Sequence, residues 1–217
     1  ARASAAADIA QQVFEASLRR HPPRARIACA KGCAHCCRSN FVGASIPEVV
    51  LQARRIREAW PDPQGELRQR IDAAAFRTPD PAEPSRVVPC PVLGGDGACG
   101  AYDARPLACR GYVSVSVDAC IRMLADPKVE IPSTRPHVFF RTRCTTALWA
   151  ALKANGLPYA SYHLHQALGV AVAAEDAEAR WLAGDDVFAG VRVDGTRKPE
   201  VEAFLDTLIG VSALGNS

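Results

Sequence analysis

The sequence predicts a mainly α-helical fold in which a small, irregular cysteine-rich module of short helices and turns packs with a helical bundle. Three observations predict it. Apolar residues recur at three- and four-residue intervals over much of the chain, which is the spacing of one face of a helix. Proline and glycine fall where these segments would end. Eight of the nine cysteines lie in two clusters, at residues 29–37 and 90–120.

Composition indicates one compact domain that folds without disulfides. With 217 residues, of which 48% are hydrophobic, the chain can bury a sizeable core. The net charge of +3 is small and dispersed, and only 6% of residues are aromatic, so no nucleic acid partner is expected. No apolar run approaches the roughly 18 residues that span a bilayer, and the first thirty residues lack a secretory apolar core. We therefore expect no membrane partner and a cytoplasmic protein with reduced thiols.

Residues 1–27 are expected to supply an N-terminal helix that packs on the core. Residues 4–20 have helical periodicity, and Ser4 can serve as the N-cap. The apolar residues at helical spacing are Ile9, Val13, Phe14 and Leu18. Pro22 and Pro23 end this helix, because proline cannot continue it.

Two helices are predicted between the cysteine clusters. The stretch Ser45-Ile46-Pro47-Glu48 is a capping box with proline in the first turn, and its helix runs to about Trp60. A second helix is predicted from Glu66 to Arg77. Its inner face would consist of Leu67, Ile71, Ala74 and Ala75. Prolines then mark a link from Thr78 to Pro84. Because both helices lie between the two cysteine clusters, we treat residues 28–124 as one cysteine-rich module with inserted helices within residues 45–77.

The first cluster places four thiols within nine residues, more than packing requires: Cys29, Cys33, Cys36 and Cys37. On a helix, residues three and four apart share a face, so three of these thiols would converge. On a turn, Cys33 and Cys36 form the C-x-x-C chelate that soft metals take, with Gly32 free to adopt a positive φ. Adjacent Cys36 and Cys37 point in different directions, which predicts different ligand sets or a multinuclear centre. His35 lies inside the cluster and is a further candidate ligand.

Two structural explanations compete with metal binding. A disulfide framework suits small secreted domains, but nine cysteines cannot all pair and the chain is not short. Buried cysteines also act as small hydrophobes, but this role does not explain four so close together. Metal binding is therefore the favoured interpretation.

The second cluster spreads four more thiols along the chain: Cys90, Cys99, Cys109 and Cys120. A tight turn from Gly94 to Gly97 can fold Cys99 back beside Cys90. Asp103 can cap a short helix that carries Cys109 and tolerates Pro106 in its first turn. Ser116 or Asp118 can start another short helix, which carries Cys120.

Eight cysteines suit either two four-thiolate sites or one multinuclear cluster. Four thiolates around a divalent ion or an oxidised four-iron cluster leave a net charge of about −2, so cations must lie close by. The basic residues that could donate to sulfur or fix the loops are Lys31, Arg38, Arg105 and Arg110. Tyr102 and Tyr112 are expected in the core. The ninth cysteine, Cys144, shares an apolar helical face with Leu148 and is also expected in the core.

The cysteine-rich module resembles the YkgJ-like family of zinc- or iron-chelating proteins, named for a C-x-x-C-x-x-C-C cluster. The family pattern continues with a C-P-x-L strand, a glycine turn followed by a cysteine, and Y-x-x-R-P-x-x-C-R-x-Y. The matching residues are Cys29, Cys33, Cys36, Cys37, Cys90, Leu93, Gly97, Cys99, Tyr102, Arg105, Pro106, Cys109, Arg110 and Tyr112. The gap between Cys29 and Cys33 is one residue longer than in the family name. The resemblance implies chelation more than a reaction. Because similar modules in flagellin lysine methylases are thought to hold an iron–sulfur cluster, it implies either zinc or iron.

The C-terminal region, residues 137–217, is predicted to be helical and part of the same domain. Helices are expected over about 139–155, 161–173, 175–183 and 199–208. Gly156 and Gly184 are expected helix stops. His163 and His165 are two apart, so on a helix they would face different sides and form no chelate. The chain has no zincin, phosphate-loop, dinucleotide-binding or nucleophile-elbow motif, and nothing identifies a substrate.

These observations predict a metal-binding protein that chelates zinc or iron, as ions or as an iron–sulfur cluster, through clustered cysteines. The metal would support modification of a protein partner or substrate, or of a small molecule. Two alternatives stay open: a structural zinc module that mediates protein interaction, and a metal carrier. Whether the chain is an enzyme is also open, since no catalytic residue is indicated.

Overall fold

The computed structural model describes residues 3–30, 32–39, 41–60, 65–77, 89–126, 128–193 and 199–214. Over these ranges the chain forms ten α-helices and one two-stranded sheet, which confirms the prediction of a mainly helical fold. The helices are α1 (Ala3–Arg20), α2 (His35–Ser39), α3 (Ile46–Ala59), α4 (Glu66–Arg77), α5 (Leu107–Gly111), α6 (Val117–Ala125), α7 (Arg135–Ala154), α8 (Leu164–Ala173), α9 (Ala177–Leu182) and α10 (Pro199–Leu214). The antiparallel strands are β1 (Gly43–Ala44) and β2 (Tyr162–His163). None of the helices in these ranges has both the length and the apolar character needed to cross a membrane.

The main hydrophobic core lies around α3, α4 and α8. Helix α8 packs against α3 and α4, while α1 packs across α3 and α7. The largest fully buried side chains of this core are Trp181, Tyr162, Phe188, Ile46, Ile56, Leu67, Ile71, Leu164 and Leu168. Cys90 and Cys99 are half-buried and pack against the core from outside. Two cysteines of the second cluster therefore lie against the apolar core.

The capping box predicted at the start of α3 is confirmed. The Ser45 backbone N–H and hydroxyl both donate to Oε2 of Glu48, at 2.9 and 2.7 Å. The other carboxylate oxygen, Oε1, accepts a 2.7 Å hydrogen bond from the backbone N–H of Leu107. The buried Glu48 side chain therefore also anchors the first residue of α5, the short helix that carries Cys109.

Helix α4 has the predicted bounds, Glu66–Arg77. Leu67, Ile71 and Ala74 are buried, as the periodicity predicts. The proline-rich link predicted from Thr78 to Pro84 lies outside the described residues.

The inner face of α1 agrees with the prediction only in part: Phe14 is buried and Leu18 packs against its cluster, but the other two residues do not lie there. Ile9 and Val13 are 60% and 51% exposed, and Ser4 is not an N-cap but a buried residue within the helix. The buried residues of α1 are Ala3, Ser4, Ala7, Gln11 and Phe14. Ala7 packs in one cluster with Leu51 and Ala104. Small side chains let α1 approach α3 closely, so close helix packing selects this face over the one with the larger apolar residues.

The C-terminal helices are those predicted, with shifted ends. Helix α7 begins at Arg135, and Gly156 follows its end with a φ of +68°, as expected of a glycine stop. Helix α8 begins at Leu164, later than expected, because the two preceding residues form β2 and pair with β1. Helix α10 extends to Leu214, beyond the predicted end.

Candidate functional site

The first cysteine lies beside the segment between α5 and α6. The Ala28 N–H donates to the Ser114 carbonyl at 2.8 Å. The Ser114 N–H in turn lies 3.3 Å from the Sγ of Cys29. Cys29 is exposed and Ser114 is buried, so the backbone contacts hold an accessible thiol against a fixed segment.

The rest of the first cluster consists of a turn and the short helix α2. Gly32 has a φ of +85°, which confirms the predicted positive φ. The Cys33 N–H closes the turn on the carbonyl of Ala30 at 2.9 Å. Helix α2 then carries Cys36 and Cys37, whose sulfurs are 4.0 Å apart.

The glycine turn of the second cluster packs against the turn of the first. The Gly97 N–H donates to the Gly94 carbonyl at 3.0 Å, and Leu93 forms a bridge with Cys99, so the predicted turn is confirmed. Gly97 has a φ of +76°. A Cβ atom at Gly97 would lie 2.8 Å from the carbonyl oxygen of Gly32. Only glycine fits both the backbone conformation and this close approach.

The two clusters meet although they are far apart in sequence. The Cys90 N–H donates to the Cys37 carbonyl at 2.7 Å. Helix α2 also packs against α6, which carries Cys120. The Ser116 hydroxyl accepts the Ala119 N–H at 3.1 Å, so Ser116 is the N-cap of α6, one of the two predicted starts.

Four thiols, which we call the inner thiol group, influence one another electrostatically: Cys36, Cys90, Cys99 and Cys109. Burial is the largest cause of the raised pKa values of Cys90, Cys99 and Cys109, and it raises the pKa of Cys90 to about 12. A negative charge on Cys36 would raise all three further. The pKa of Cys36 itself is raised strongly, first by its contact with the Cys37 thiol and then by burial. The inner group therefore favours protonated thiols.

A second set, which we call the outer thiol group after its exposed first member, consists of the exposed Cys29, the half-buried Cys33 and the buried Cys120. Partial desolvation is the largest cause of the raised pKa of Cys29, and the Ser114 N–H opposes it. A negative charge on Cys33, Cys36 or Cys120 would also raise this pKa. Cys36 is therefore the thiol whose charge would affect members of both groups.

The thiols have the right chemistry for a soft metal but are not arranged as a coordination shell. All nine cysteines are free. In the ranges that the structure describes, no three Cys, His, Asp or Glu side chains are placed so that they could hold one metal ion between them. Metal binding would require the thiols to lose protons and to move closer together, which is common when a site forms only with its metal.

The predicted cations have different positions. Lys31 lies outside the described residues, and Arg38 is exposed on α2. Arg105 lowers the pKa values of Cys99 and Cys109, against the larger effect of burial. Its guanidinium lies 3.6 Å from the centre of the Tyr102 ring. Of the predicted cations that the structure describes, Arg105 is therefore the one whose charge lowers the pKa values of cluster thiols.

Arg110 fixes the loop before α5. Its guanidinium donates to the Arg105 carbonyl at 2.9 Å and to the Glu15 carboxylate at 2.8 Å, and it also contacts the Asp103 carbonyl. Asp103 lies in a 3-10 turn and does not cap α5, whose N-cap is Pro106. Asp103 lies four residues before the start of α5 at Leu107, too far from the helix to cap it. Arg110 thus acts on the backbone, the second of the two roles that the sequence predicts for these cations.

Arg70 on α4 was not predicted to take part. Its positive charge lowers the pKa of Cys90, and its guanidinium donates to the Leu93 carbonyl. The signal was present in the sequence, because Arg70 is three residues after Leu67 and four before Ala74 and so borders the inner face of α4.

The two histidines of β2 and α8 lie together, contrary to the prediction that they face different sides. The ring centroids of His163 and His165 are 5.4 Å apart. The strand ends at His163 and the helix begins at Leu164, so the helical spacing assumed for the pair does not apply. Both rings are buried, and burial lowers each pKa to about 4. His35, the further candidate ligand, is half-buried at the start of α2.

Two expectations about the core have opposite outcomes. Cys144 is buried in a cluster with Phe14 and Leu107, which confirms its structural role. Tyr102 is 56% exposed, so its placement in the core was wrong; its ring packs under Arg105 instead. Tyr112 is half-buried.

No family model, curated protein or solved structure matches this chain. The resemblance to the YkgJ-like family therefore depends on the motif residues alone.

Proposed function

We propose that this protein binds zinc or iron, as individual ions or as an iron–sulfur cluster, through its clustered cysteines. The proposed ligands are Cys29, Cys33, Cys36, Cys37, Cys90, Cys99, Cys109 and Cys120. The observation that carries the proposal is the hydrogen bond between the Cys90 N–H and the Cys37 carbonyl, which joins the two clusters. Packing alone does not require that two distant segments rich in free cysteines lie side by side.

The chemistry of the donors also supports the proposal. Thiolates are soft ligands that favour zinc, copper(I) and iron–sulfur centres. Arg70 and Arg105 lower the pKa values of three inner thiols and so favour the thiolate form that a metal needs. A bound zinc ion would supply structural closure or Lewis acidity, and a bound iron centre would supply electron transfer.

The role we propose for the metal is to support modification of a protein or a small molecule. A structural zinc module would instead have a closed coordination shell of four thiolates around each ion. Exposure of Cys29 favours a metal carrier as the second candidate, because a competing chelator can reach an exposed ligand. Transfer of the metal to a competing chelator within seconds would support the carrier, whereas retention over hours would support the other two roles.

The proposal is tested by metal and acid-labile sulfide analysis of protein purified without oxygen. We expect an integral ratio of zinc or iron in the wild-type protein and in Cys144→Ala, the control, because Cys144 packs in the core. Cys109→Ser should lose at least part of the metal. Iron with sulfide would indicate an iron–sulfur centre, and zinc without colour would indicate a zinc site. Absence of both metals from the wild-type protein, or equal metal content in both variants, would contradict the proposal.

A further inference from the structure

A groove with no predicted metal ligand runs along the outer side of α7. It has a volume of about 1050 Å3 and is also lined by His21, at the end of α1, and by Phe204 of α10. The groove is largely open to solvent. It differs in this respect from small-molecule sites, which enclose most of the ligand surface.

Aromatic side chains form the floor of the groove. Phe139 and Phe204 are 51% and 41% exposed, and Phe140 lies between the groove and the core cluster of Phe14 and Cys144. The Phe139 and Phe140 rings meet edge to face, with centroids 5.2 Å apart. Exposed aromatic rings that adjoin one another are typical of a surface that another molecule covers.

The charged side chains that line the groove are positive. Arg135 and Arg143 line it, and no Asp or Glu is among the described residues that do so. The Cζ atom of Arg143 lies 5.1 Å from the centre of the Phe139 ring and 6.0 Å from that of Phe204. The two rings hold this guanidinium over the apolar floor. Arg19 and Arg20, both exposed in the last turn of α1, directly precede His21, which lines the groove.

We propose that this groove binds an acidic amphipathic helix of a partner protein. The lining residues of α7 extend from residue 135 to residue 146, which corresponds to a length of roughly 17 Å at the helical rise. Three turns of a helix would fit along it with apolar residues on the phenyl rings, which is the helix-in-groove mode of recognition. Acidic residues on the flanks of that helix would meet Arg135, Arg143 and the basic end of α1, and like-charged partners would be repelled.

The groove is joined to the cysteine site by the backbone. Ser133 and Thr134 line its end, and the preceding residue, Pro132, accepts the Val115 N–H at 3.0 Å. Ser114, which directly precedes Val115 in the chain, contacts Cys29. A partner in the groove would therefore lie at the end of the segment that holds the outer thiol group.

The test measures fluorescence anisotropy of labelled synthetic helices on the full-length protein. One panel carries Leu and Phe on one face and Glu on the flanks, and the second panel has Lys in place of each Glu. We expect saturable binding of acidic helices only. Arg143→Glu and Phe139→Ser should each weaken binding at least about tenfold. Arg180→Glu is the matched control and should bind as the wild type, since Arg180 is an exposed arginine on α9.

Four results would overturn the proposal: no binding of any acidic helix, equal affinity for both panels, binding only to anionic lipid vesicles, or a dimer of the chain that Phe139→Ser dissociates. Because the groove contains none of the proposed metal ligands, acidic helices should bind the metal-free protein as well. The docking proposal and the metal proposal can therefore fail separately.

Discussion

Single side chains decide whether the thiols can become metal ligands. Burial raises the pKa values of Cys90, Cys99 and Cys109, so at neutral pH these groups hold their protons. The positive charge of Arg105 opposes burial at Cys99 and Cys109. A metal must displace the protons, so its affinity should rise as pH rises.

Arg105→Gln should weaken metal binding. Without the guanidinium, the pKa values of Cys99 and Cys109 rise further, so more free energy is needed to remove their protons. We expect zinc affinity to fall roughly tenfold near neutral pH, with a smaller deficit as pH increases. Competition with a chromophoric chelator between about pH 6 and 9 measures this. Arg38→Gln is the control, because Arg38 is exposed on α2; an equal loss in both variants would show that Arg105 has no specific electrostatic role.

The histidine pair should make the fold sensitive to acid. His163 and His165 are buried with pKa values of about 4, whereas an unfolded histidine titrates near 6.5. Between these values the unfolded chain binds more protons, so the stability contributed by the neutral rings is complete above about pH 6.5 and is lost as pH falls towards 4. Each ring can contribute on the order of 3 kcal/mol to this dependence.

Urea unfolding at a series of pH values tests the histidine prediction. His165→Phe should have a flatter profile than the wild type between about pH 6.5 and 4. A wild-type slope in His165→Phe would mean that the buried ring is not responsible.

At the scale of elements, the cysteine clusters are positioned by contacts between loops and short helices. Glu48 joins α3 to α5, and Cys90 joins the second cluster to α2. The glycine turn brings the backbones of the two clusters close together, since there is no room for a Cβ atom at Gly97 beside the carbonyl oxygen of Gly32. Short elements such as α2 cannot be stable alone, so these contacts determine where the thiols lie.

Gly97→Ala should separate the two turns. Its φ of +76° and the 2.8 Å contact with the Gly32 carbonyl oxygen both oppose a side chain, so we expect a loss of roughly 1–3 kcal/mol in unfolding free energy and less bound metal. The control is Gly95→Ala, because no atom lies within 4 Å of a Cβ placed there. Urea denaturation and metal analysis of both variants check this. Equal behaviour of the two variants would contradict the role of the turn.

At the scale of the whole molecule, the accuracy of the sequence predictions depends on how local their causes are. The bounds of α4 and the capping box of Ser45 and Glu48 were predicted because local periodicity and caps determine them. The sequence did not predict that Ile9 is exposed, because helix packing decides which face of α1 is buried. It also did not predict that the rings of His163 and His165 are adjacent, because the pairing of β2 with β1 decides their positions. The assignment of eight cysteines as metal ligands stays a prediction from the motifs, and the inner and outer grouping of the thiols emerged only from the folded chain.

The central claim, that the clustered thiols bind metal, is tested most directly by X-ray absorption at the edge of the metal that copurifies with the protein. We expect a first shell dominated by sulfur, at about 2.3 Å for either zinc or iron thiolates. An iron–sulfur centre would add an iron–iron distance. The sulfur shell should persist in Cys144→Ala, whose substituted residue lies in the core. A shell composed only of nitrogen and oxygen would contradict the account.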